Sequence, residues 1–107
     1  MYTITFYVPE SACEQVKNAM FSKGAGRYGN YECVSWQTLG IGQFRPLSGS
    51  NPTIGNINQI TQLKEYRVEM ICEKASLESV ITVLLSAHPY EQVAYHVTKH
   101  EVNLISE

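Results

Sequence analysis

Three histidines and a glutamate crowd the C-terminal part of the chain: His88, Glu91, His96 and His100. Imidazole and carboxylate donors suit zinc, copper or nickel. His88, Glu91 and His96 are therefore the candidate metal ligands, and a divalent cation is the one cofactor the residue types suggest. His96 and His100 are expected on one strand face, with His88 and Glu91 in the turn before it. The same turn has a structural use, because Pro89 disfavours helix at the residue before it. A histidine there can also serve the helix's last carbonyls. The cysteines, Cys13, Cys33 and Cys72, show no ligand-like spacing, so they read as free thiols rather than a zinc site.

A second constellation lies in residues 24–31, where Gly24, Gly26 and Gly29 alternate with Arg27, Tyr28, Asn30 and Tyr31. The spacing Gly24-x-Gly26-x-x-Gly29 matches a dinucleotide fingerprint, but that fingerprint needs a strand before it and a helix after it. Here the order is helix, then strand, so a helix C-cap and tight turn is the simpler reading. Arg27 and Arg45 can offer bidentate contacts to an anionic ligand such as a phosphate or carboxylate, and Tyr28, Tyr31, Trp36 and Phe44 can stack on a ring. For Trp36 and Phe44 the favoured use is as anchors between subunits. The candidate ligand-binding residues are Gly26, Arg27, Tyr28, Asn30, Arg45, His88, Tyr90 and Glu91. No nucleophile and base stand together in a catalytic pattern, so no catalytic residue is assigned and a binding module is favoured over an enzyme.

These groups need positioning elements. At 107 residues, 44% hydrophobic and 17% charged, the chain is expected to form a single domain over 1–107. A formal charge of −2 with scattered Lys and Arg argues against nucleic acid. No apolar run approaches the roughly 18 residues that cross a bilayer. The N-terminus lacks signal-peptide features, and with unpaired cysteines this points to the cytoplasm.

Tyr2, Ile4, Phe6 and Val8 alternate with Thr3, Thr5 and Tyr7 as in a half-buried strand. Ser11 with Glu14 suggests a capping box before a helix that presents Ala12, Val16, Ala19 and Met20, turns Glu14, Lys17 and Asn18 to water, and stops at Gly24. Residues 31–38 read as a second strand. Residues 39–58 hold four glycines and two prolines, which predicts an extended arm with a short strand near 42–45. Residues 60–72 alternate as a long third strand, with Glu65, Arg67 and Glu69 forming either a solvated face or a subunit-facing polar row. Ser76 suggests the next N-cap, ahead of an amphipathic helix on Leu77, Val80, Ile81, Leu84 and Leu85 that closes at His88. Residues 93–99 alternate again, and Val102 and Leu104 suggest an extension. The order strand, helix, strand, strand, helix, strand predicts an α+β, ferredoxin-like βαββαβ antiparallel sheet with both helices on one face. In that arrangement the glycine bend and the 88–91 turn are expected at one rim.

Gly24-Ala25-Gly26-x-x-Gly29-Asn30-Tyr31, Gly40-x-Gly42-x-Phe44-x-Pro46, Asn51-Pro52-x-Ile54-Gly55, Glu65-x-Arg67-x-Glu69 and His88-Pro89-Tyr90-Glu91 with Ala94-Tyr95 follow one another in this order. Together they resemble the small YqfO-type proteins, and the domain inserted in the larger Nif-three-like, dinuclear-metal-centre proteins. The resemblance runs from Tyr2 to Lys99. It implies a PII/CutA-like domain, an extended arm around residues 39–59, and a homotrimer with ligand clefts between subunits. It implies no hydrolase activity, since the two-metal site of the larger proteins belongs to other domains. The family pattern carries Glu, Pro and Asp where this chain has Gln92, Val93 and His96, which removes two carboxylates from the turn.

Overall fold

A computed structural model describes residues 1–100, so the expectation for Val102 and Leu104 lies outside the described residues. Strand β1 (Tyr2–Pro9) leads through a 3-10 turn (Glu10–Ala12) into helix α1 (Cys13–Ser22), followed by β2 (Trp36–Phe44), β3 (Thr61–Cys72), α2 (Lys74–Ala87) and β4 (Tyr95–Lys99). The strands form one sheet in the order β2-β3-β1-β4, with every neighbouring pair antiparallel. This is the expected ferredoxin-like arrangement. The register sets Ile4 against Met70 and Phe6 against Val68, and paired residues share a face. Ile4, Phe6, Val8, Val68, Met70 and Cys72 bury one face of the sheet against Cys13, Val16 and Met20 of α1 and Val80 and Leu84 of α2. Removing these side chains from water drives the layer together, at about 1.5–3 kcal/mol for each large one.

Both helices depart from expectation at their starts. Neither Ser11 nor Ser76 caps: α1 begins after a 3-10 turn with Ala12 at the cap position, and α2 begins at Lys74 after Glu73, without side-chain caps. In each case the preceding strand delivers the chain into the helix, and tertiary packing outweighs the local cap. Lys17 is not turned to water. Its ammonium reaches Gln37 of β2 at 2.8 Å and Glu14 at 3.2 Å, leaving the side chain 12% exposed. Leu85 lies at the margin of the α2 stripe and is exposed, whereas Val83 and Ala87 pack on the core.

The second strand starts at Trp36, five residues later than the 31–38 expectation. Tyr31 instead closes a small bridge with Tyr28, and Cys33 adopts a positive φ of 58° that interrupts extended backbone. The strand then runs on to Phe44, so the first part of the expected arm is strand rather than loop. β2 and β3 continue past Pro9, the end of β1, as a two-stranded ribbon in which Ile41 faces Lys64 and Phe44 faces Thr61. The ribbon lengthens the molecule to 52 × 23 × 22 Å.

Gly26 makes the return from α1 possible. Its φ is +73°, and a Cβ there would meet the Phe21 ring and the Val34 carbonyl at 2.8 Å each. Its N–H donates to Ile71 O and its carbonyl accepts from Val34 N–H, both at 2.8 Å. Gly26→Ala is expected to cost about 2–3 kcal/mol in urea denaturation, with the slope unchanged. A loss below about 0.5 kcal/mol would contradict this account of the bend.

Candidate functional site

The His88-Pro89-Tyr90-Glu91 corner follows α2 and meets the end of β1, the start of the paired part of β3 and the loop after β2. His88 ends the helix: its backbone N–H donates to Leu84 O at 3.0 Å, and its own backbone turns extended. The imidazole, 5% exposed, does not cap helix carbonyls. Its Nε2 lies 2.7 Å from Tyr7 O and its Nδ1 accepts the Tyr90 N–H at 3.1 Å. One contact requires a donor and the other an acceptor, which fixes the neutral Nε2–H tautomer. Burial lowers the imidazole pKa, against the opposing pull of the Tyr7 carbonyl and Glu65.

Tyr90 stacks obliquely beside His88, ring centres 4.8 Å apart, and faces Phe44 at 6.1 Å. Its hydroxyl donates to Glu65 Oε2 at 2.7 Å. Burial, then the hydrogen bond and charge of Glu65, hold the phenol well above its ordinary value. Glu65 can lie in this position because its strand partners are bare. Gly40 is directly opposite, and a Cβ on Gly42 would collide with the Glu65 carboxylate. The loop after β2 is fastened to the same corner. Asn51 N–H donates to Glu91 Oε2 at 3.0 Å, and the Thr53 hydroxyl donates to Pro89 O at 2.7 Å. Between loop and corner lies a cavity of about 370 Å³, walled by Tyr7, Phe44, Pro46, Ile54 and Tyr90 with Glu65 and Glu91 at its polar side.

The candidate residues fall into two groups that do not meet within the chain. Tyr90 and Glu91 line the cavity and His88 supports it from behind. Arg45 stands nearby but outside the lining, its Nε donating to Asn58 O at 3.2 Å. Gly26, Arg27, Tyr28 and Asn30 lie at the other end of the sheet. The bend is bonded to Ile71 and the corner to Glu65, six residues apart on one strand, or about 20 Å. The expectation of a shared rim is corrected accordingly: the return to β2 clamps the bend at the C-terminal end of β3, whereas α2 carries the corner back to its start. Gly26 is buried, while Arg27, Tyr28 and Asn30 are exposed.

The metal set is not assembled either. Both ring nitrogens of His88 have protein partners, Glu91 holds Asn51, and His96 pairs with Thr5 across β4 and β1. His100 approaches the Thr3 hydroxyl at 2.8 Å. Among the described residues no three His, Cys, Asp or Glu side chains converge. Burial pushes the Cys13 and Cys72 thiols up, so neither is a ready thiolate ligand or nucleophile. Glu65 and Tyr7 are cavity residues that sequence reasoning did not single out for binding. The available signal was the pair of glycines, Gly40 and Gly42, facing Glu65.

No family model matches the chain. A Bacillus subtilis (strain 168) protein named GTP cyclohydrolase 1 type 2 homolog is 37% identical over 94 residues, which is 88% of this chain and 25% of that protein. The crystal structure of a Bacillus cereus protein related to NIF3 superposes at a TM-score of 0.76 with 33% identity, covering 90% of this chain and 24% of that one. The chain is a relative of these NIF3-related proteins. It spans about a quarter of the length of the curated relatives it matches, so their names describe them as wholes. CutA from Xylella fastidiosa superposes at 0.68 with 17% identity, over 98% of this chain and 88% of its own, and shares the fold. The resemblance drawn from the ordered glycine and histidine motifs therefore holds at the level of sequence and of fold.

Stability is expected to fall as pH drops below 6.5, the ordinary imidazole value. The unfolded chain takes up a proton there that the buried imidazole resists, so stability present above that pH drains away below it. In His88→Gln, whose amide can satisfy both partners, the slope in that window should flatten. Denaturation midpoints from pH 5 to 7.5 check this, and an unchanged slope would contradict the assignment.

Proposed function

We propose that this NIF3-related, CutA-like chain is a small binding or regulatory module that assembles as a homotrimer in the cytoplasm. It takes a small molecule in the hollow between the loop after β2 and the 88–91 corner. The observation that carries the ligand reading is the cavity of about 370 Å³, mostly apolar, with the carboxylates of Glu65 and Glu91 in its lining. Pockets of this size and make-up are the usual small-molecule sites. The free cysteines accord with a reducing compartment, and among the described residues no helix is long and apolar enough to cross a membrane.

Self-association is supported by the ribbon. Among the described residues no helix or third strand covers β2 and β3 beyond Pro9, and a lone two-stranded ribbon is marginal in water. β2 is an edge strand, with Trp36 68% and Ile41 67% exposed. Light scattering after gel filtration should give three times the 12.1 kDa chain mass, and Ile41→Lys should shift the population towards monomer. A wild-type monomer at micromolar concentration would contradict the trimer. For the ligand, thermal-shift screening with small aromatic and nitrogenous molecules should find compounds that raise Tm by at least about 4 °C. A hollow that no compound stabilises would favour a purely structural role.

A further inference from the structure

Glu65 stands between two hollows. The cavity beside Phe44 and Tyr90 holds about 370 Å³, and a second of about 430 Å³ runs along Gly40, Gly42 and Arg67. Glu65, Tyr7 and Gln43 line both. The carboxylate is fixed on one side only. Oε2 accepts the Tyr90 hydroxyl, whereas Oε1 takes no hydrogen bond among the described residues and lies over the bare backbone of Gly42.

The charge of the cavity discriminates between ligands. Its lining contains two carboxylate residues, Glu65 and Glu91, and no Lys, Arg or His. Arg27 is at the far end of the sheet and Arg45 is outside the lining, so the anion-binding use of these arginines has no place here. An anion would meet like charge, while a cation or an N–H donor would find acceptor capacity on the Glu65 carboxylate, which takes only the Tyr90 hydroxyl among the described residues. Phe44 and Tyr90, at 6.1 Å and 59°, offer aromatic surface to a flat ligand and a π face to a cation.

We propose that this cavity takes a planar aromatic ligand bearing an amidine, guanidine or amino-heterocycle edge, with its N–H groups donated to the Glu65 carboxylate. The proposal rests on the reading of the hollow as a ligand site and names the chemical class it accepts. Gly40 and Gly42 line the second hollow with Arg67, and their lack of a side chain leaves the room in which the Glu65 carboxylate lies at the edge of the cavity.

Titration by NMR with benzamidine, benzoate and benzyl alcohol, probes of similar size and different charge, separates the outcomes. Benzamidine is expected to bind at least tenfold more tightly than either other probe. Glu65→Gln, which keeps a carbonyl acceptor for Tyr90, should weaken it at least tenfold, and Glu78→Gln on the outer face of α2 should not. Benzoate binding as tightly as benzamidine, or benzamidine binding unchanged in Glu65→Gln, would overturn the proposal and leave the hollow as a ligand site. Failure of all three probes to bind the wild type would overturn this ligand class, while the wider thermal-shift screen decides whether the hollow is a ligand site at all. Should Glu65→Gln fail to fold, as judged by circular dichroism, the ranking of the three probes on the wild-type chain decides.

Discussion

Two hydrogen bonds from one corner tie together parts of the chain that the sheet alone does not join. His88 reaches the carbonyl of Tyr7 on β1, and Tyr90 reaches the carboxylate of Glu65 on β3. The first is made by a buried imidazole held neutral, and the second by a phenol whose proton burial and the carboxylate retain. Each is costly to leave half-made, since an unpaired buried polar group loses about 1–3 kcal/mol. The corner is thus more than a helix stop. It fixes the level at which the ribbon leaves the globular body, and with Asn51 and Thr53 it fixes where the following loop lies.

Two kinds of surface result. The helix-covered half of the sheet is a closed apolar layer, complete within the chain. The ribbon half has no such cover, and its apolar side chains stay exposed unless another copy supplies the missing face. The cavity sits at the boundary between the halves. Its walls come from the rigid corner, the ribbon and the loop after β2 together.

The sheet was legible in the sequence because its core strands obey a strict period of two: Ile4, Phe6 and Val8 on one strand, Val68, Met70 and Cys72 on another. α2 was legible for the same reason at helical spacing. What was not legible had local causes that tertiary contacts overruled. Ser11 and Ser76 look like caps, but the strands feeding the helices set where they begin. β2 was obscured because glycines occupy two positions on one of its faces, which removes the alternation from a composition-based reading. The corner's histidine was read as a metal candidate or a helix terminator. Only the coordinates show that Tyr7 and Tyr90 occupy both its nitrogens. Glu65 belongs to a charged row whose other members, Arg67 and Glu69, do form an exposed pair, and the glycines that set it apart lie on another strand, more than twenty residues away in sequence. The bend and the corner both follow helix ends, which on sequence alone puts them at one rim, yet the helices run so that the two bond to β3 six residues apart, at Ile71 and Glu65.

The coupling between Tyr90 and Glu65 is the point on which the hollow depends. A double-mutant cycle of Tyr90→Phe and Glu65→Ala, read by urea denaturation, measures it directly. A coupling energy of about 1–2 kcal/mol is predicted for a partly buried hydrogen bond to a charged group. Additivity of the two substitutions within about 0.3 kcal/mol would mean that the corner does not hold the ribbon, and would contradict the account.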